Sequence, residues 1–507
     1  MKARLAGAAL IAMIALAASA CSSPASNRTA TTDQTLTISV NAAFNGFQPT
    51  DLAGTDVQAG AMRQLYDTLV TLSPQRQVQP RLAQSWVFSA DKKTLTLTLR
   101  SGLKFSDGSP LTASDVVWNI SHAQADATAA TAQKLFLTIA KATALNPQTV
   151  QVSFQQPLAA PFDLFDYLFI AKPQNSIQKL QNSPIGSGPF KLQSWQPSSR
   201  AVFVPNPNFW KGQPKLQKIV FQVAGDLQSS KLLFTSKQAN FLFDSSWQDY
   251  AGFTRDKSVQ TLLTGEGGRV EMFLINTRVA PFNDVRVRQA VAAALDRSAI
   301  VNAVYKGLTV PWCLPWPTGS IGFQASPELS RNCPADPAKS RTLLAAAGFP
   351  NGLSTSLLTE AGTDNQVSQI FQQQLAGVGI KAKLDAVSDD TTFFDRIGSG
   401  KWAILTSTVQ RLAHDSASSI LLGQPLQNDN VSGFKSAAYA TLLDQSLHET
   451  DPAKRVTIMA LINQLLLDQN FFIAITTQTP HYVFSSNLHG LAVTLDGYLI
   501  LEGASLG

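Results

Sequence analysis

"NQVSQIFQQQLAGVGIKAKLDAV" (residues 365–387) reads as a helix, a glycine turn and a strand, one half of a βαβ unit. The same mixture of signals runs outward from it in both directions. Upstream, "NDVRVRQAVAAALDRSAIVNAVYKG" (283–307) has helical spacing. Asp284 is placed to cap its start, and Val287, Val291, Ala294 and Leu295 form one apolar stripe. Asp296 can cap a second helix, and Gly307 suits a left-handed exit. Further back, "KIVFQV" (218–223) is rich in β-formers, and "TLTLTLR" (94–100) alternates strictly, with Leu95, Leu97 and Leu99 on one face and threonines on the other. Helices and strands interleaved along the whole chain predict an α/β protein. No internal repeat is visible.

The chain has 507 residues, more than one core usually supports. Lys2 and Arg4 precede an uncharged apolar stretch from Leu5 to Ala20, which reads as an export signal over 1–20. That stretch is short for a membrane span, which needs about 20 residues. "LAASACSSPAS" (16–26) ends the apolar run on Cys21 after small residues. This is similar to a bacterial lipobox, although Ala18 stands where an aliphatic residue is usual. Acylation of Cys21 is the expectation, with an ordinary secretory cut nearby as the alternative. The segment 21–36 is polar, nearly devoid of core-forming residues, and reads as a flexible tether. Outside the cytoplasm, Cys313 and Cys333, 20 residues apart in a Pro-, Gly- and Ser-rich segment, are expected to form a disulfide. Two buried thiols are the alternative.

Net charge is +6, falling to +4 once Lys2 and Arg4 are removed. Without a dense Lys/Arg block, nucleic-acid binding has no support. Catalytic motifs fail one by one. "PIGSGPF" (184–190) is not a nucleophile elbow. "DRIGSGKW" (395–402) has Asp395 at the first glycine of a phosphate loop and Trp402 at its Ser/Thr, so a turn between helix and strand explains it better. His122, His414, His448, His481 and His489 are scattered without ligand spacing, so no metal or cofactor is implied. Loop aromatics stand out instead: Phe44 and Phe47 around an Asn-Gly turn, and Trp312 and Trp316 beside Cys313. Such rings can line a ligand cleft or plug the edge of a core.

"PRLAQSWVFSADKKTLTLTLRSGLKFSDGSPLTASDVVWNI" (80–120) resembles the signature of the family 5 solute-binding proteins, which serve peptide and nickel ABC importers. The resemblance continues through 184–221, 276–307, 335–352, 372–384 and 449–477, ordered blocks spread over some 450 residues. It implies a two-lobed periplasmic-binding-protein fold (type II, cluster C) with an extra subdomain in lobe one. Lobe one would combine 37–59, 184–273 and 479–507 with the subdomain 60–183, and lobe two would be 274–478. It also implies a monomeric, non-enzymatic receptor, anchored to the cell membrane through lipidated Cys21. Such a receptor closes by hinge bending on a peptide or other small solute, for an ABC permease and ATPase. Two alternatives stand beside it: a non-transport sensor or envelope regulator of the same fold, and a receptor for an anionic metabolite or metal chelate.

Site expectations follow from the same resemblance. Phe44, Asn45 and Phe47 would contribute from lobe one, and 402–415 from lobe two. In peptide-binding members the segment resembling 401–418 runs W-D-x-x-x-x-G-W-G-A-D-Y-P-D-P, and an aspartate there grips the peptide's amino group. Aligned from Trp402 that aspartate falls on Leu412, with Arg411 beside it and Asp415 on the second acid. A slip of a residue or two would give Asp415 the role. A buried ammonium without a carboxylate is costly, so the ligand is expected to be N-blocked, anionic or held by its backbone. Arg411 would then favour a carboxylate or phosphate.

Overall fold

The computed structural model describes residues 33–52, 56–174, 176–264, 268–388, 390–409, 413–415, 431–478 and 480–507. Three sheets carry the architecture. A seven-stranded mixed sheet runs in the order Val259–Leu263, His481–Ser485, Phe241–Leu242, Thr35–Val40, Lys218–Val223, Arg200–Pro205, Phe190–Gln196. Its parallel centre is Thr35–Val40, paired with Lys218–Val223 on one side and Phe241–Leu242 on the other. Thr35 and Leu36 lie opposite Lys218 and Ile219, so this strand takes in the last two residues of the segment expected as tether.

A four-stranded antiparallel sheet takes Ala83–Phe88, Thr94–Leu99, Thr149–Phe154 and Ile139–Asn146, in that order. Leu95, Leu97 and Leu99 are buried, while the threonines between them are half-buried, as the alternation requires. Both sheets contribute to one core, which holds Leu36, Ile38, Phe221, Leu95 and Val150 together.

The five-stranded sheet orders Ile380–Val387, Leu353–Glu360, Ile404–Val409, Arg269–Ile275 and Phe472–Gln478. Its neighbouring residues divide between two further cores. Phe273, Leu357, Ile404 and Ile473 face one, and Met272, Leu358, Leu405 and Phe472 face the other. A sheet covered on both faces must be apolar without alternation, which is how "EMFLI" reads. Val367, Phe371 and Leu375 of the helix Thr363–Gly377 cover the first face. Tyr439 and Leu443 of Ala437–His448, with Met459, Ile462 and Leu466 of Pro452–Gln469, cover the second.

The helix Thr363–Gly377 joins the parallel strands Leu353–Glu360 and Ile380–Val387, completing the βαβ unit. Asp284 caps Val285–Ala293 by accepting from the Arg286 amide, and Asp296 caps Arg297–Ala303 by accepting from that of Ala299. The chain changes sheet between Leu263 and Arg269, so the strand Arg269–Ile275 lies wholly in the five-stranded sheet, and the expected lobe boundary at 273 falls within it. Trp312 and Trp316 are buried in the interior, Trp312 donating to the Trp316 carbonyl at 3.0 Å. Cys313 and Cys333 are joined in a disulfide with their Cα atoms 6.0 Å apart.

Candidate functional site

Charged side chains form a seam between elements of the first core and those around the five-stranded sheet. Asp415, which follows the strand Ile404–Val409, is central to it. Its Oδ1 lies 3.3 Å from Nη1 of Arg76 and accepts from the Ile321 amide at 3.3 Å. Its Oδ2 lies 3.6 Å from Nη1 of Arg455, a buried arginine of the helix Pro452–Gln469 whose Nε donates to the Ser446 carbonyl at 2.8 Å. Arg76 comes from the opposite side, in the loop of the hairpin Val70–Leu72/Val78–Pro80, with φ of 62°. It forms a wall common to two cavities. One, of about 440 Å³, is lined by Leu72, Phe88, Lys92, Phe162 and Asp415 among others; the second, of about 350 Å³, by Thr264, Thr318 and Thr494.

One residue earlier, His414 crosses the seam completely buried. Its Nε2 is 2.9 Å from Oδ2 of Asp166, on the helix Phe162–Tyr167, and its Nδ1 is 3.3 Å from Oδ2 of Asp496. The Tyr167 hydroxyl lies 2.8 Å from the same Nδ1 and donates to Asp496 at 2.9 Å. Burial by itself lowers an imidazole's pKa, but the Asp496 charge and the hydrogen bonds to Asp166 and Asp496 outweigh it and hold His414 at about 10. Burial likewise opposes ionisation of Asp166, yet Arg63 and His414 keep it at about 2. His414 is therefore an imidazolium between two carboxylates.

A third group sits where the chain passes between sheets. Arg269 pairs with Asp56. Two residues on, buried Glu271 accepts from Thr408 Oγ1 at 2.9 Å and from Gln478, which also reaches the Tyr305 hydroxyl. Burial, and next the charge of Asp364, push the Glu271 pKa well up, while burial pushes Asp364 up to about 6. Burial thus disfavours ionisation of both carboxyls.

The residues expected from the sequence fall unevenly on this geometry. Asp415 is on the cavity wall, already neutralised by two arginines. Phe44 and Phe47 are buried in the first core, Phe44 edge-on to Phe221 at 5.4 Å and Phe47 against Trp195 at 5.3 Å. Asn45 between them is exposed, its carbonyl accepting from Gln181 at 2.6 Å. Arg411 and Cys21 lie outside the described residues. Sequence reasoning missed Arg76, Asp166 and Asp496, because no local spacing joins residues 339, 248 and 82 positions from their partners. Among the described residues no group of three or more His, Cys, Asp or Glu side chains is arranged to hold a metal ion.

Comparison with known proteins adds an independent line. The model of the bacterial extracellular solute-binding proteins, family 5 (middle region), matches residues 77–423. The glutathione-binding protein GsiB of Shigella dysenteriae is 27% identical over 493 residues, covering 92% of this chain and 94% of GsiB. The ABC transporter-associated periplasmic binding protein DppA of Helicobacter pylori, solved with the peptide STSA, superposes with a TM-score of 0.80 at 20% identity, covering 92% of this chain and 98% of DppA. AgaA of A. tumefaciens, solved with agropinic acid, gives 0.81 at 23% identity, with 93% and 99% covered. These structures establish a two-lobed α/β fold.

Proposed function

The chain belongs to the family 5 bacterial extracellular solute-binding proteins, and we propose that it captures a short peptide at the seam between its cores and delivers it to an ABC permease and ATPase. One observation carries the placement of the site. Arg76, which borders both cavities, meets Asp415 from the opposite side on the wall of the larger one, so a solute in that cavity would touch both halves at once. That GsiB binds glutathione and that DppA was solved with a peptide support the choice of peptide.

In this reading the protein binds without chemistry, as a monomer, and is held at the membrane through acylated Cys21. Asp415 lines the site without serving as an amine anchor, because an incoming ammonium would have to displace two arginines. The ligand is therefore held by its backbone or its anionic end. Arg411 keeps its proposed place in the site by sequence position. Phe44 and Phe47 act from behind by fixing the loop that carries Asn45.

Native mass spectrometry of the protein purified from its own host tests the reading. A co-purifying short peptide, released on denaturation and unaltered in sequence by incubation, is the expected result. A non-peptide ligand would move the protein to the metabolite class, and turnover of the peptide would overturn the absence of chemistry.

A further inference from the structure

We propose that Arg76 anchors a carboxylate of the captured solute and that the apolar cavity beside it receives the group next to that carboxylate; this rests on the solute-binding reading above. Arg76 is only loosely committed in the structure. Its guanidinium has one acceptor among the described residues, Asp415 Oδ1 at 3.3 Å, well beyond the length of a strong charge-assisted bond. Asp415 does not depend on it. Arg455 already lies on the other carboxylate oxygen, with a buried Nη2 that has no hydrogen-bond partner among the described residues. If Arg76 turns away, Asp415 keeps its compensation.

Space and chemistry favour that turn. Arg76 borders both cavities, so its side chain has open space on two sides. The larger cavity offers Leu72, Val78, Phe88, Leu158 and Phe162 as an apolar lining, with exposed Lys92 as a second cation. Of its two acids, Asp415 is held by Arg455, and Asp163 feels the charge of His414. A positive fork above an apolar floor is complementary to a carboxylate adjoining an apolar group, as at the C-terminus of a peptide ending in leucine or phenylalanine. Arginine's planar fork binds a carboxylate through two parallel hydrogen bonds, which lysine cannot do.

Equilibrium dialysis of the mature protein against two pools separates the possibilities. One pool holds di- and tripeptides ending in Leu or Phe with free carboxylates, the other the same peptides C-terminally amidated, and the bound fraction is read by mass spectrometry. The wild type should retain the acids at least about tenfold over the amides, the difference one charge-assisted pair provides. Arg76→Gln should bring the acids down to the level of the amides, and Arg76→Lys should fall between, each with an unchanged ligand-free melting temperature. Equal retention of acids and amides by the wild type overturns the anchor and leaves peptide capture standing. Retention of neither pool overturns peptide capture and the anchor with it. A preference that survives in Arg76→Gln assigns the carboxylate to another residue. Should that variant fail to fold, the acid-to-amide ratio in the wild type and in Arg76→Lys decides.

Discussion

His414 ties the seam with a charge that has no access to water. Removing one member of a buried pair leaves the others uncompensated, at about 3–5 kcal/mol. The linkage gives this a pH signature. The His414 pKa rises from 6.5 to about 10, so its contribution is complete below 6.5 and is lost as pH climbs through 10. The Asp166 pKa falls from 3.8 to about 2, so its contribution is complete above 3.8 and is lost as pH drops through 2. His414→Gln should therefore lower the melting temperature most near pH 6, and the gap to wild type should narrow steadily toward pH 10. A gap that stays constant from pH 6 to 10 would show that His414 is neutral in the fold. Little of this was legible in the sequence, where His414 sits in "LAHDS" with no partner at motif spacing. Phe44 and Phe47 misled for the same reason. Beside an Asn-Gly turn they look like loop aromatics, but Trp195, Phe203 and Phe221, which bury them, arrive from some 150 residues away.

Elements were far easier to read, wherever period and punctuation agree. The alternation in 94–100, the caps Asp284 and Asp296, and the helix–turn–strand of 365–387 all depend on neighbours within a few residues. The strand Leu353–Glu360 escaped because "LSTSLLTE" does not alternate, its burial being set by both faces of the sheet. The βαβ unit rests on a contact between two glycine turns. Gly352 has φ of 83°, and a Cβ there would stand 2.0 Å from the Gly379 carbonyl oxygen. Gly352→Ala should thus destabilise by at least the roughly 1–3 kcal/mol of a left-handed non-glycine residue. Gly377 makes the control. It ends the helix Thr363–Gly377 with nothing within 4 Å of a built Cβ, so Gly377→Ala should be neutral or stabilising by up to about 1 kcal/mol. Denaturant midpoints of the two variants check the pair, and equal losses would mean the turns do not touch as described.

For the whole molecule, attachment to a membrane depends on what can hold so large a body there. Among the described residues no helix is long and apolar enough to cross one. A net charge of +6, dispersed along the chain, is a poor substitute, because each Lys or Arg contributes about 1 kcal/mol only when it lies near the anionic surface. The proposed anchor is Cys21. In that proposal a diacylated cysteine would provide the two chains that stable anchoring needs. Cys21→Ala should therefore move the protein from the membrane fraction to the soluble fraction. Its ligand retention should stay at the wild-type level, since the cavities at Arg76 lie in the folded body. Uptake of the ligand by cells carrying only this variant should fall. If Cys21→Ala stays with membranes through a high-salt wash, anchoring belongs to another segment, and if retention falls together with release, the N-terminus takes part in binding.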